Sequence, residues 1–142
     1  MGQQQLLLLV LSTVIVGLAT VAGIQAFDEN RQQAAADALT QKGTSLAADV
    51  KGLVAKPAQF GGLDTTSTSK SEVASKLGID GGATVPGAGD GTCSVSSVSG
   101  GGGSSNFKVT INCKGAGDYS NLEFNATFQT GTSGVQVKPV VN

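Results

Sequence analysis

Residues 6–27 read LLLLVLSTVIVGLATVAGIQAF, and residues 28–38 continue as DENRQQAAADA. No Asp, Glu, Lys or Arg precedes Asp28, and the only polar side chains between Leu6 and Phe27 are Ser12, Thr13, Thr20 and Gln25. Coiled as a helix at about 1.5 Å per residue, this run is about 33 Å long, enough to cross the hydrocarbon of a bilayer. A secretory signal peptide is one alternative, but nothing before Arg31 is positive, so the usual basic leader is missing. A plain single-span anchor satisfies the same pattern.

Downstream of Phe27 helical character persists. Gln32, Gln33, Ala34, Ala35, Ala36 and Ala38 are strong helix formers, and the first proline is Pro57. Leu39, Leu46, Val50, Leu53 and Val54 recur at helical spacing and lay one apolar stripe, with Asp37, Lys42, Asp49 and Lys51 largely away from it. Residues 3–55 are therefore expected to form one helix of roughly 80 Å at about 1.5 Å per residue, weakened locally by Gly43 and Gly52. The segments read as 1–27, an apolar helix for membrane or filament core, and 28–56, its amphipathic continuation. The remaining residues are too few to cover such a helix, so its first half is expected to project into lipid or against copies of itself.

Residues 57–91 turn to Gly, Ser, Thr and Asp and read as a connecting loop. Its one ordered piece is a short helix over Ser71–Leu77, capped by Ser69 or Ser71. The Thr65–Ser71 run reads as a solvated loop, with an O-glycosylation tract as the alternative. From Thr92 to the end the period becomes two. Cys93, Val95 and Ser97 share a face, as do Phe107, Val109, Ile111 and Cys113, then Leu122, Phe124, Ala126 and Phe128, then Val135 and Val137. Residues 92–142 are thus expected to form a four-stranded antiparallel meander with one apolar face, covered by the stripe of the long helix. The fold class is α+β.

Pairing the first two strands about the Gly100–Gly103 run sets Cys93 opposite Cys113 and Val95 opposite Ile111. Directly opposed residues lie within reach of a disulfide. An oxidising compartment, implied by a membrane-targeting segment, favours the bridge over two free thiols.

Composition bounds the chemistry. The 142 residues contain 9 Lys plus Arg against 10 Asp plus Glu, so no basic face is evident for nucleic acid. His and Trp are absent, and neither a nucleophile–base pair nor a metal shell can be assembled from the pattern. The reading is non-enzymatic, with no catalytic residues, cofactor or metal. Phe27 is the only aromatic residue in the long helix, which disfavours conduction of electrons through stacked rings.

Gly2 before Gln3, Gln4 and Gln5 and then the run Leu6-Leu7-Leu8-Leu9-Val10 resembles the processing site of type IV prepilins, which prepilin peptidase cleaves after the glycine, here between Gly2 and Gln3. The whole architecture, a long N-terminal helix, variable loop, antiparallel sheet and C-terminal disulfide, is similar to that of type IV pilins, bacterial or archaeal. The resemblance implies a homopolymeric filament stored in the inner or cytoplasmic membrane and then built by pilus-assembly machinery into an extracellular fibre. Its core would be Leu6, Leu7, Leu8, Leu9, Val10, Leu11, Val14, Ile15, Val16, Leu18, Val21, Ile24 and Phe27. Cleavage after Gly2 puts Leu7 in the fifth place, where most pilins carry a glutamate; if Met1 is kept, Gln5 stands there and offers a neutral hydrogen bond. The family's proline in the apolar run is also missing. The alternatives are a pseudopilin or minor pilin of a secretion or DNA-uptake system, and a monomeric membrane-tethered binding module. Finally, Asn125-Ala126-Thr127 is an N-glycosylation acceptor pattern, with Asn125 expected on the outer face of its strand.

Overall fold

The stripe at Leu39, Leu46 and Val50 requires a helix, and in the computed structural model, which describes residues 2–100, 106–132 and 134–140, helix α1 runs over Gly2–Ala55. It ends just before Pro57, whose ring cannot continue a helix. Residues Met1–Gln33 and Ala34–Asn142 form two separate compact units.

In the second unit, α1 buries Ala35, Leu39, Gly43, Leu46, Ala47 and Val50, while Asp37, Asp49 and Lys51 stay exposed. Sequence reading picked out the large members of this stripe and took Gly43 only as a weakness. Its role is closer to a necessity. A Cβ at Gly43 would lie 3.2 Å from the Ala126 Cβ and 3.3 Å from the Cys113 Sγ, closer than ordinary packing allows. Small residues at 35, 43 and 47 thus let the helix axis settle onto the sheet.

The sheet has five antiparallel strands in chain order: β1 Ala83–Val85, β2 Gly91–Ser99, β3 Lys108–Lys114, β4 Glu123–Gln129 and β5 Gln136–Pro139. Strands β2 to β5 are the expected meander, and the expected pairs are present, with Cys93 opposite Cys113 and Val95 opposite Ile111. The strand not foreseen is β1, which lies inside the segment read as a loop. It is only three residues long and bounded by Gly82 and Pro86, so local sequence reads as turn; pairing with Gly91–Cys93 makes it a strand. Turn 86–90 is set by backbone contact. The Ala88 carbonyl accepts from the amides of Gly91 and Ala116, both at 3.1 Å, and a Cβ at Gly89 (φ +64°) would fall 2.3 Å from the Ala116 carbonyl oxygen.

A second correction concerns Ser97. The register slips between Val95 and Ser97, a bulge that puts one extra residue into β2. Ser97 is consequently exposed, and Val98, half-buried and opposite Val109, takes the inner face. A greater gain from burying a valine than a serine favours this slip.

The connecting segment also contributes to the core. Leu63, Val73, Ile79, Val85 and Ala88 are buried with the helix and sheet residues. Helix α2 spans Lys70–Lys76, and of the two candidate caps Ser69 is the one used, its hydroxyl accepting from the Glu72 amide at 3.3 Å. Upstream, Asp64 organises the Thr/Ser run: its carboxylate accepts from the Thr66 amide at 2.9 Å and from the Thr66 and Ser67 hydroxyls. These bonds, chiefly from the Thr66 hydroxyl, hold the Asp64 carboxyl below its ordinary range. Lys76 donates to the carbonyls of Gly62 at 2.6 Å and Gly61 at 3.2 Å, tying α2 to the turn that follows α1.

Cys93 and Cys113, at a sequence separation of 20, form a disulfide with their Cα atoms 4.0 Å apart. Both are buried under α1. Replacing both by alanine is expected to cost about 3 kcal/mol under the chain-entropy account of a loop this size, measured by denaturant unfolding of the full chain in detergent. Gly43→Leu is expected to cost about 1–3 kcal/mol by overpacking the same contact. A Gly43→Leu variant as stable as the parent would mean that α1 does not press on the sheet there.

Candidate functional site: the apolar half of helix α1

In the first unit every large apolar side chain assigned from sequence is exposed. Leu6, Leu7, Leu8, Leu9, Val10, Leu11, Val14, Ile15, Val16, Leu18, Val21, Ile24 and Phe27 keep between 50% and 72% of their surface in contact with solvent. Water is an unfavourable medium for such a surface. Each large apolar side chain gains about 1.5–3 kcal/mol on full burial, so lipid, or apolar surface of another chain, is the medium this helix demands. The helix is long and apolar enough to cross a membrane.

The hydroxyls along the run are satisfied within the helix. The Ser12 hydroxyl donates to the Leu9 carbonyl at 2.9 Å, Thr13 to Val10 at 2.8 Å, and Thr20 to Gly17 at 2.8 Å. Such back-bonding removes the cost of carrying a hydroxyl into a dry environment. Backbone groups are likewise paired by the helix itself, the form that a bilayer accepts. Gly17 and Gly23 have open space where a side chain would stand, so another helix can approach the backbone there. Gln3 lies with Leu6, Leu7, Val10, Leu11 and Val14 along one shallow groove of this helix. Gly2 is the first helical residue, so the Gly2–Gln3 bond assigned to processing lies at the helix start.

The second place where polar chemistry gathers is the outer face of the sheet. Asn112 donates through Nδ2 to Glu123 Oε1 at 2.6 Å and to Asn125 Oδ1 at 2.9 Å, joining β3 to β4. Asn125 therefore does lie on the outer face, half-buried, with Asn112 on one side and Lys138 opposite it on the other. Lys108, Asn125, Thr127, Gln129, Gln136 and Lys138 border a groove of about 450 Å³ on this face. Alternation gave the outward positions in sequence, but which of them meet across strands follows from register. Among the described residues, no group of three or more His, Cys, Asp or Glu side chains converges.

Compared with protein families, curated proteins and solved structures, the chain matches none.

Lysines at both Val14 and Leu18 test the assignment of the helix. Each charge near the middle of a span costs about 2.5–3.5 kcal/mol on insertion. The double variant Val14→Lys/Leu18→Lys is expected to leave the membrane pellet on alkaline extraction, while the parent stays in it. Equal retention of both would show that this helix is not what holds the protein in the membrane.

Proposed function

We propose that this chain is a structural subunit of an extracellular filament of the type IV pilus kind, polymerising through residues 6–27. The observation that carries the reading is the charge-free helix with thirteen large apolar side chains exposed and its hydroxyls internally satisfied, continuous in sequence with a disulfide-bonded α+β head. One surface then serves two media in turn. It contacts lipid tails in the membrane before assembly, and neighbouring copies of itself in the filament. Burial of about 13 side chains at about 1.5–3 kcal/mol each gives a gross drive of tens of kcal/mol against the ordering entropy of assembly. Extraction from the membrane needs work, which assembly machinery would supply. The subunit's role on this reading is assembly rather than catalysis.

A head stapled by a disulfide suits such a life outside the cell. The bridge holds β2 to β3 beneath the helix, so the head keeps its shape without the reducing and chaperoning conditions of the cytoplasm. A processing cut between Gly2 and Gln3 would place a free amine at the start of the apolar run, with Leu7 in the fifth place.

The polar groove on the outer sheet face favours a second reading, a monomeric binding module for which α1 is merely a tether. A pseudopilin or minor pilin differs from both by abundance, being scarce in sheared surface material.

Electron microscopy of the native protein, sheared from cells and purified, separates these. A thin regular fibre containing this chain as its main component is expected. Loss of the fibre with Val14→Lys/Leu18→Lys, with the head still folded by its melting transition, would tie polymerisation to the helix. A monodisperse particle in detergent, with no fibre under native conditions, would overturn the proposal in favour of the tethered module.

A further inference from the structure

The outer face of β3, β4 and β5 carries more unspent polar chemistry than a solvated sheet needs. Register stacks it in pairs: Lys108 faces Gln129, Thr110 faces Thr127, and on the other side Thr127 faces Gln136 and Asn125 faces Lys138. Together with the β4–β5 connection these side chains enclose the groove of about 450 Å³, within the range of about 300–1,000 Å³ usual for small-ligand sites. Thr110, Asn125, Thr127 and Gln129 are half-buried in it. Among the described residues, the side chains of Thr110, Thr127, Gln129 and Gln136 make no internal hydrogen bond. Asn125 commits only its oxygen, to Asn112.

What this groove offers defines its ligand. Amides and hydroxyls present donors and acceptors side by side, a pattern matched by a ligand that also does both, such as a ring bearing hydroxyl groups. Among the described residues, Lys108 and Lys138 are the charged members of the lining, and no carboxylate side chain lines it. Glu123, the nearest acid along β4, is turned to Asn112 at 2.6 Å and stands opposite Lys114. The groove is therefore cationic as well as hydroxyl-seeking. A bare phosphate or sulfate ion would use the lysines and leave the acceptors unpaired. Nucleic acid would want aromatic platforms for its bases, and none lines the groove.

We propose that this outer-face groove binds a short acidic saccharide, with its hydroxyls on Asn125, Thr127, Gln129 and Gln136 and its acidic groups at Lys108 and Lys138, which the register sets at opposite ends of the groove. The inference does not rest on polymerisation, since it concerns the head alone. It assigns the head a recognition role at the face opposite to the one that α1 covers.

The test uses the full chain in a sugar-free zwitterionic detergent, made in a host that adds no N-linked sugar, with Asn125 confirmed unmodified by intact mass. Trigalacturonate, maltotriose and inorganic phosphate are titrated in turn, and the side-chain amide signals of Asn125, Gln129 and Gln136 are followed by nuclear magnetic resonance. Saturable shifts with trigalacturonate are expected, with affinity about tenfold above that for maltotriose, a difference that shrinks as salt screens the lysines. Lys108→Gln/Lys138→Gln should lose about tenfold for trigalacturonate and leave maltotriose unchanged. Gln136→Ala should weaken both sugars. These side chains point away from the core, so melting of each variant is expected at the parent's temperature. The proposal is overturned if trigalacturonate gives no saturable shift at millimolar concentration. It is equally overturned if the double lysine variant binds as well as the parent, or if phosphate produces the same shifts and displaces the sugar.

Discussion

The structure of the head depends on one close approach, that of α1 to the centre of the sheet at Gly43. A hydrogen in place of a side chain lets the helix backbone come down over the Cys113 sulfur and the Ala126 methyl, and the residues one turn to either side, Leu39 and Leu46, then reach the sheet's inner face. The disulfide lies directly beneath. It fixes β2 against β3 at the point where the helix presses, so a covalent constraint and a packing constraint reinforce each other. A glycine in a helix costs about 1 kcal/mol relative to alanine, and here it sits where a side chain would press on the Ala126 methyl and the Cys113 sulfur.

Around this contact, the rest of the head is a matter of closing gaps. The segment between helix and sheet supplies Leu63, Val73, Ile79, Val85 and Ala88 to the same core, so it behaves as part of the packing layer rather than as a free connection. Lys76 and Asp64 tie that layer down from outside through backbone carbonyls and hydroxyls. With few aromatic residues and many glycines, the domain gains its order from many short contacts instead of a few large side chains. That leaves the outer face free to carry amides, hydroxyls and lysines without burdening stability.

The two units of the chain follow opposite solvent logic. Among the described residues from 34 to 140, the large apolar groups other than Phe60 are mostly inward and the charged ones outward. In residues 2–33 the apolar groups are outward, and the hydroxyls turn back onto the helix's own carbonyls. An exposed apolar surface of that extent is stable only in lipid or against another chain. This is the physical ground on which the helix is compatible with a membrane anchor.

Much of this was legible in the residues themselves. A charge-free run ending at Asp28, an apolar stripe through Leu39, Leu46 and Val50, and alternation from Thr92 onward fix a long helix and an antiparallel sheet, because burial period and backbone geometry are locally encoded. The cysteine pairing was also expected from the chain, by folding the first two strands about the Gly100–Gly103 run; residues 101–103 lie outside the described residues, while the register sets Cys93 opposite Cys113. Four features belonged to the tertiary structure alone. Strand β1 is too short to declare itself, and exists because β2 offers it partners. The bulge that replaces Ser97 by Val98 on the inner face is decided by what lies across the strand, which no single strand's pattern contains. Likewise, that Gly43 is a contact rather than a flaw, and that Asn125, Gln136 and the two lysines share one groove, follow from which residues are brought face to face, a property of register and packing and not of local sequence.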